Sequence, residues 1–121
     1  MSSPWVVQLN GTGTVAIDGS SPAHSGTKSV RVHAADADYD TLFALRDATV
    51  LPAPGGRFFL RAYMRLGRAM AGGHNSFIIA DPFATLDGYD TVRFGFEKYA
   101  GPGLDIWYDD IADGTERIGC N

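Results

Sequence analysis

Residues 57–66 read RFFLRAYMRL, and every second side chain in this stretch is apolar. A helix would spread the three arginines among Phe and Leu all around its circumference. With a period of two, the stretch instead separates into an apolar face and a mixed polar and aromatic face, which predicts a half-buried β-strand. The apolar face holds Phe58, Leu60, Ala62, Met64 and Leu66, and the other face holds Phe59, Arg61, Tyr63 and Arg65.

Seven further short runs of apolar and β-branched residues lie at 5–10, 14–18, 29–33, 41–45, 74–81, 91–98 and 104–109. Turn residues separate them, and no stretch has a helical period long enough for a crossover helix. We expect one all-β domain spanning residues 1–121, an antiparallel β-sandwich of jelly-roll-like architecture. The Gly11-Thr12-Gly13 turn predicts a hairpin of the first two runs, and the apolar content of HNSFIIAD predicts a central strand.

The composition excludes several classes of protein. Ten Lys and Arg against fourteen Asp and Glu give a net charge of −4, which is unsuited to a nucleic-acid backbone. No apolar stretch is long enough to cross a membrane, and residues 1–4 lack the charge and hydrophobicity of an export signal. The single cysteine, Cys120, cannot form an internal disulfide and is either a free thiol or half of an external one.

Three of the predicted strands carry unusual polar and aromatic residues opposite their apolar rows. If these strands are neighbours in register, the rows share one surface. Aromatic rings stack on sugar rings, while Arg and carboxylate groups bind sugar hydroxyls or uronate carboxylates, so this surface predicts carbohydrate binding. The alternative is an ordinary solvated face with cross-strand ion pairs. The candidate residues are Arg61, Tyr63, Arg65, Arg93, Glu97, Asp105, Trp107 and Asp109.

Two other features suggest chemistry. His74 begins a strand beside two glycines, where an imidazole could act as general acid or base, although a structural hydrogen bond is the commoner role there. Asp36, Asp38 and Asp40 form a D-x-D-x-D pattern that can surround calcium, although the Gly and distal Glu of an EF-hand loop are missing.

Three segments resemble a known family: AHSGTKSVRVH at 23–33, FFLRAYMRLGRAMAGGHNSFIIAD at 58–81 and VRFGFE at 92–97. They are similar to bacterial relatives of the fungal cellulose-induced, glucuronan-lyase-like jelly-roll proteins. The resemblance implies a concanavalin-like jelly roll, secretion, a cleft for polysaccharide and, in some members, a structural calcium ion. Such proteins continue with further strands where this chain ends at Asn121, so we expect a shortened or divergent domain whose exposed sheet edge favours a homodimer.

The leading functional hypothesis is a secreted module that binds polysaccharide on the Arg, Tyr and Trp face. The second is a polysaccharide lyase, in which Arg61, Arg65 or Arg93 neutralises a uronate carboxylate while Tyr63 or His74 transfers the proton. A glycoside hydrolase using Glu97 with Asp105 or Asp109 ranks third, because it requires adjoining strands. A purely structural or adhesive sandwich is the remaining alternative.

Overall fold

The computed structural model describes residues 4–36, 40–51, 57–69, 75–82, 89–98 and 101–119, which form eight strands and no helix. This confirms the predicted all-β class. The strands are β1 (Trp5–Asn10), β2 (Thr14–Asp18), β3 (Ser29–Ala34), β4 (Asp40–Leu45), β5 (Phe59–Leu66), β6 (Asn75–Pro82), β7 (Tyr89–Lys98) and β8 (Leu104–Gly114). In the part of the chain described, no helix is long and apolar enough to traverse a lipid bilayer.

The strands form two four-stranded antiparallel sheets. Sheet A has the order β1-β4-β7-β6, and sheet B has the order β2-β3-β8-β5. Alternate residues of the central strands point into the space between the sheets and supply the core, as the period of two requires. The most buried large side chains there are Val32, Phe43, Val92, Phe94, Ile106 and Tyr108.

Aromatic side chains join the two sheets at the centre of this core. Phe43 and Phe94 stack with ring centroids 5.3 Å apart, and Tyr108 from sheet B meets both rings edge-on. The Tyr108 hydroxyl lies 2.7 Å from the Phe77 carbonyl oxygen and 2.8 Å from that of Gly95, and it accepts the Gly95 N–H at 3.0 Å. One phenol therefore connects three strands.

Gly95 is required at this point of β7. Its backbone φ angle is +139°, a value that residues with a side chain rarely adopt. A Cβ there would lie 2.3 Å from the Thr41 carbonyl oxygen and 2.9 Å from the Leu42 Cα. The glycine thus permits the close approach of β4 and β7.

Two expectations about strand order are wrong. The first two strands do not form a hairpin, because β1 pairs with β4 in sheet A while β2 pairs with β3 in sheet B. The turn between them crosses from one sheet to the other. The strand predicted to be central, β6, lies at the edge of sheet A, where Ile78 is 44% exposed.

A bulge interrupts the pairing of β5 with β8. The register shifts between Arg61 and Tyr63, and Asp110 on the opposing strand has a φ of 46°. Bulges of this kind redirect side chains and raise the local twist. Here the bulge presents two successive carboxylates, those of Asp109 and Asp110, at the surface of sheet B.

Candidate functional site

Sheet B carries most of the predicted polar and aromatic surface on its outer side. In β8 the residues between the buried Leu104, Ile106 and Tyr108 face outward, and the residues of β5 paired with them do the same. The fold therefore brings together six of the eight candidates, because β5 and β8 are neighbours in register. They are Arg61, Tyr63, Arg65, Asp105, Trp107 and Asp109.

Trp107 lies at the centre of this surface between two arginines. Its cross-strand partners are Arg31 on β3 and Arg65 on β5. The Arg65 guanidinium carbon lies 3.8 Å from the centroid of the indole, and that of Arg31 lies 5.8 Å away. Both distances lie within the range of a cation–π contact, and the Arg65 contact is the closer one. One face of the indole is thus covered by Arg65.

Asp18, at the end of β2, fixes the indole from a third direction. Its Oδ2 accepts the Trp107 Nε1–H at 2.6 Å, while its Oδ1 accepts the backbone N–H and the hydroxyl of Ser20. These hydrogen bonds, from Ser20 first and then from Trp107, hold the pKa of Asp18 far below its ordinary value. Sequence reasoning missed Asp18, since a carboxylate at the end of a short strand resembles any turn residue.

A second polar cluster borders the ring. Asp105 accepts from Arg31 Nε at 2.9 Å and lies 3.0 Å from His33 Nδ1, so it connects β8 to two residues of β3. The alternation of SVRVH in β3 places Arg31 and His33 on the face opposite the core. We call the outer-face residues Arg31, His33, Arg65, Asp105 and Trp107 the tryptophan face.

Open depressions lie on both sides of Trp107. One, of about 490 Å³, lies at the ends of β3, β5 and β8 and is lined by His33, Asp36, Arg68, Asp105 and Trp107 with neighbouring backbone. The other, of about 250 Å³, is lined by Pro22, His24, Tyr63, Arg65, Trp107 and Asp109 among others. Trp107 lines both depressions and therefore lies between them.

The loop between β2 and β3 closes one side of the second depression. His24 stacks on Tyr63 with ring centroids 3.4 Å apart, and its Nδ1 lies 2.6 Å from Asp110 Oδ2. Ser25 donates its N–H to Asp109 and its hydroxyl to Asp110. We call these contacts the loop latch. The ring of Tyr63 is covered by the imidazole, and Asp109 is occupied by the loop.

The remaining candidates lie elsewhere. Arg93 and Glu97 belong to β7 in sheet A, on the face opposite the buried Val92, Phe94 and Phe96. The outer surfaces of the two sheets point in opposite directions, so these two residues do not join the tryptophan face. Glu97 is likewise not adjacent to Asp105 or Asp109, because β7 and β8 belong to different sheets. His74 lies outside the described residues.

The predicted calcium ligands are only partly described. Asp36 Oδ1 accepts the Gly103 N–H at 2.6 Å, and Asp40 begins β4 in register with Glu97. Asp38 lies outside the described residues, as does Cys120. Within the described ranges, no three His, Cys, Asp or Glu side chains form a group that could hold a metal ion. The described residues therefore do not by themselves make a calcium site.

Comparisons with known proteins agree with this architecture. A family model described as polysaccharide-lyase-like, Cip1-like core domain matches residues 3–88. A solved structure titled "Cellulose induced protein, Cip1" is similar with a TM-score of 0.79 at 18% sequence identity, covering 97% of this chain and 94% of that chain. At this identity the likeness shows the fold. No curated protein matches the sequence.

Proposed function

The chain belongs to the Cip1-like core-domain family of polysaccharide-lyase-like proteins, and from this premise we propose that it binds polysaccharide on the tryptophan face. The family and its jelly-roll-like fold are those that the sequence motifs predicted. Membership associates the chain with carbohydrate. The choice of surface rests on the geometry of sheet B.

The observation that carries the proposal is that Arg65 packs against Trp107 without a carboxylate partner among the described residues. Its guanidinium is held against Trp107, and within the described residues no carboxylate lies within ion-pair distance of it. A guanidinium has five N–H donors in a planar fork that suits carboxylate and vicinal hydroxyl groups. Arg65 is therefore positioned by the indole and keeps donors for a ligand.

This geometry changes the role expected for Trp107. The sequence predicted an aromatic ring that stacks directly on a pyranose. In the structure Arg65 covers one face of the ring, so we assign the primary contact to the guanidinium and a supporting role to the indole. Asp105 and His33 supply further hydrogen-bonding groups beside it.

Lyase chemistry receives less support from the described residues. Of the three arginines considered for a lyase, Arg93 lies on the other sheet and cannot act with Tyr63, whereas Arg61 and Arg65 share the outer surface of sheet B with Tyr63. Tyr63 is also covered by His24. The family description keeps a lyase as the second candidate, and measurement of unsaturated products distinguishes the two.

The test is retention on glucuronan, alginate and cellulose, with absorbance of unsaturated products followed in parallel. We expect retention without product. Arg65→Ala should weaken binding about tenfold to a hundredfold, since hydrogen bonds to a charged group contribute roughly 1.5–3 kcal/mol. Arg65→Lys should recover only part of this, because lysine lacks the planar fork.

Arg46→Ala is the matched control, because it removes the same charge at an exposed position in the segment after β4. It should bind like the unmodified chain. Equal binding by Arg65→Ala and Arg46→Ala would reject the tryptophan face, and unsaturated product from any of the glycans would favour the lyase. Absence of both retention and product would support a structural or adhesive sandwich.

Two further parts of the proposal concern the protein's setting. We propose that the protein is secreted, because polymeric polysaccharides are encountered outside the cell. Detecting the protein in the culture medium and not in the cell lysate would support this. We also propose a structural calcium ion held by Asp36, Asp38 and Asp40, since the family resemblance implies such an ion in some members. Calcium should then raise the midpoint of thermal unfolding relative to EDTA, and Asp38→Asn should abolish the difference.

A further inference from the structure

Strand β1 forms an unprotected edge of sheet A. Among the described strands it pairs with β4 alone, and its sequence, WVVQLN, contains no charged residue. Val6, Val7 and Leu9 are 41%, 38% and 50% exposed. Sheet edges in natural proteins usually carry charges, prolines or bulges that prevent pairing with another strand. Within this strand none of these is present.

The apolar surface continues onto the neighbouring edge of sheet B. Ile17 on β2 is 59% exposed, the highest value among the large hydrophobic residues described as exposed. Between the two edge strands an opening of about 340 Å³ leads toward the core. Its lining is mostly apolar but also contains three charged residues and a serine. The apolar residues are Trp5, Ile17, Val30, Phe43, Tyr108 and Ile111, and the others are Lys28, Ser29, Asp109 and Asp110.

The opposite side of the sandwich is different. There β5 carries Arg61 and Arg65 and has a register shift, while β6 has two register shifts and ends at Pro82. These are the features that discourage edge-to-edge pairing. Exposed apolar side chains occur on this side too, at Met64 and Ile78, but among the described edge strands β1 alone carries no charged residue.

We propose that a second copy of this chain pairs with β1 in an antiparallel fashion about a two-fold axis at Val7. This register places Val7 opposite Val7 of the second copy, and Trp5 opposite Leu9. Side chains that face each other across antiparallel strands lie on the same side of the sheet, so the apolar row facing the core continues through the dimer.

A second copy meets the least electrostatic repulsion at this edge. The chain has a net charge of −4, so copies repel one another over much of their surface. β1 has no charge, and the one charged residue of β2, Asp18, is bonded to Trp107 and Ser20. The β1 pairing therefore places no like charges opposite each other.

The pairing would also organise the ligand-binding surface. A two-fold axis perpendicular to sheet A leaves the two tryptophan faces pointing to the same side of the dimer. Two sites on one polymer bind with avidity, because the second binding event is intramolecular. This consequence rests on the proposed function, whereas the pairing itself does not.

Sedimentation of the full chain over about 10–500 µM tests the pairing, since a weak dimer dissociates in this range. We expect a dimer, and Val7→Lys should weaken self-association by about a hundredfold or more because it places two cations opposite each other. Ile78→Lys, at an edge residue with 44% exposure, should leave the dimer intact. A monomer at every concentration, or a dimer unaffected by Val7→Lys, overturns the proposal.

Cysteine cross-linking tests the register. On a Cys120→Ser background, Val7→Cys should form an intermolecular disulfide, since opposed residues of antiparallel strands lie about 4.5–5.5 Å apart at Cα. Ile78→Cys should not. Equal cross-linking of both variants contradicts the register. If Val7→Cys cross-links but the dimer is not retained on glycan, the result contradicts binding at the tryptophan face and leaves the pairing supported.

Discussion

Two aspartates of this chain, Asp18 and Asp113, have pKa values shifted in opposite directions by their surroundings. Asp18 receives hydrogen bonds from Ser20 and Trp107, which lower its pKa and favour the carboxylate. Asp113 lies on β8 opposite Leu60, and burial, followed by the charge of Asp47, raises its pKa. Its Oδ2 is buried and has no hydrogen-bond partner among the described residues. An ionised aspartate therefore stabilises the folded state at position 18 and destabilises it at position 113.

The position of Asp113 leads to a stability prediction. Its pKa is higher in the folded state than in the unfolded state. The fold is therefore more stable at a pH below the unfolded-state pKa, and it loses this stability as the pH rises through the folded-state pKa. Asp113→Asn should raise the free energy of unfolding at neutral pH, and the gain should vanish as acidification protonates Asp113. Urea unfolding at several pH values measures this. Glu116→Gln, an exposed neighbour, should have little effect, and an equal gain from both variants would contradict the explanation.

At the scale of elements, the β2–β3 loop and the β8 bulge depend on each other. The bulge turns Asp109 and Asp110 toward the loop, and the loop latch returns three hydrogen bonds and an aromatic stack. Hydrogen bonds from Ser25 first and then His24 lower the pKa of Asp110 in the folded state. The latch contributes stability above the unfolded pKa of this carboxyl and loses it as the pH falls through the folded pKa.

Asp110→Asn tests the latch without disturbing the bulge, since asparagine tolerates the positive φ of this position. We expect faster proteolysis of the loop at neutral pH and a smaller loss of stability on acidification. Thermal unfolding between about pH 2 and pH 7 covers the titration of an aspartate. A variant that keeps the full acid sensitivity of the unmodified chain would show that other carboxyl groups carry it.

At the scale of the whole molecule, Tyr108 connects the two sheets. Its ring lies in the aromatic cluster, and its hydroxyl contacts backbone groups of β6 and β7. Burial raises the pKa of the phenol, which therefore stays protonated and able to donate. The core thus contains a polar contact that fixes the spacing of sheet B against sheet A.

Tyr108→Phe keeps the ring and removes only the hydroxyl. The Gly95 N–H then loses its partner in a buried site, and we expect a loss of about 1–3 kcal/mol in the free energy of unfolding. Tyr108→Leu should lose more, because the edge-on aromatic contacts also disappear. Chemical denaturation measures both. Unchanged stability of Tyr108→Phe would mean that the hydroxyl contacts do not contribute.

The sequence correctly predicted features that depend on residues close together along the chain, such as which side of a strand faces the core. The alternation of RFFLRAYMRL correctly separates the core-facing side of β5, although Met64 on that side is 44% exposed, from the side bearing Arg61, Tyr63 and Arg65. It contains no information on which strand pairs with which. For this reason alternation alone does not predict that Arg93 and Glu97 lie on the other sheet, or that β1 pairs with β4 and not with β2. Asp18 was missed because its importance comes from Trp107, 89 positions away.

The Tyr108 hydroxyl has a consequence for hydrogen exchange. The Gly95 amide is bonded to this side chain from the opposite sheet, so it becomes accessible to deuterium only when the sheets move apart. Its exchange rate should therefore report separation of the two layers, whereas amides of the edge strands β1 and β6 exchange through local fraying. A single backbone proton thus distinguishes opening of the sandwich from loosening of its edges.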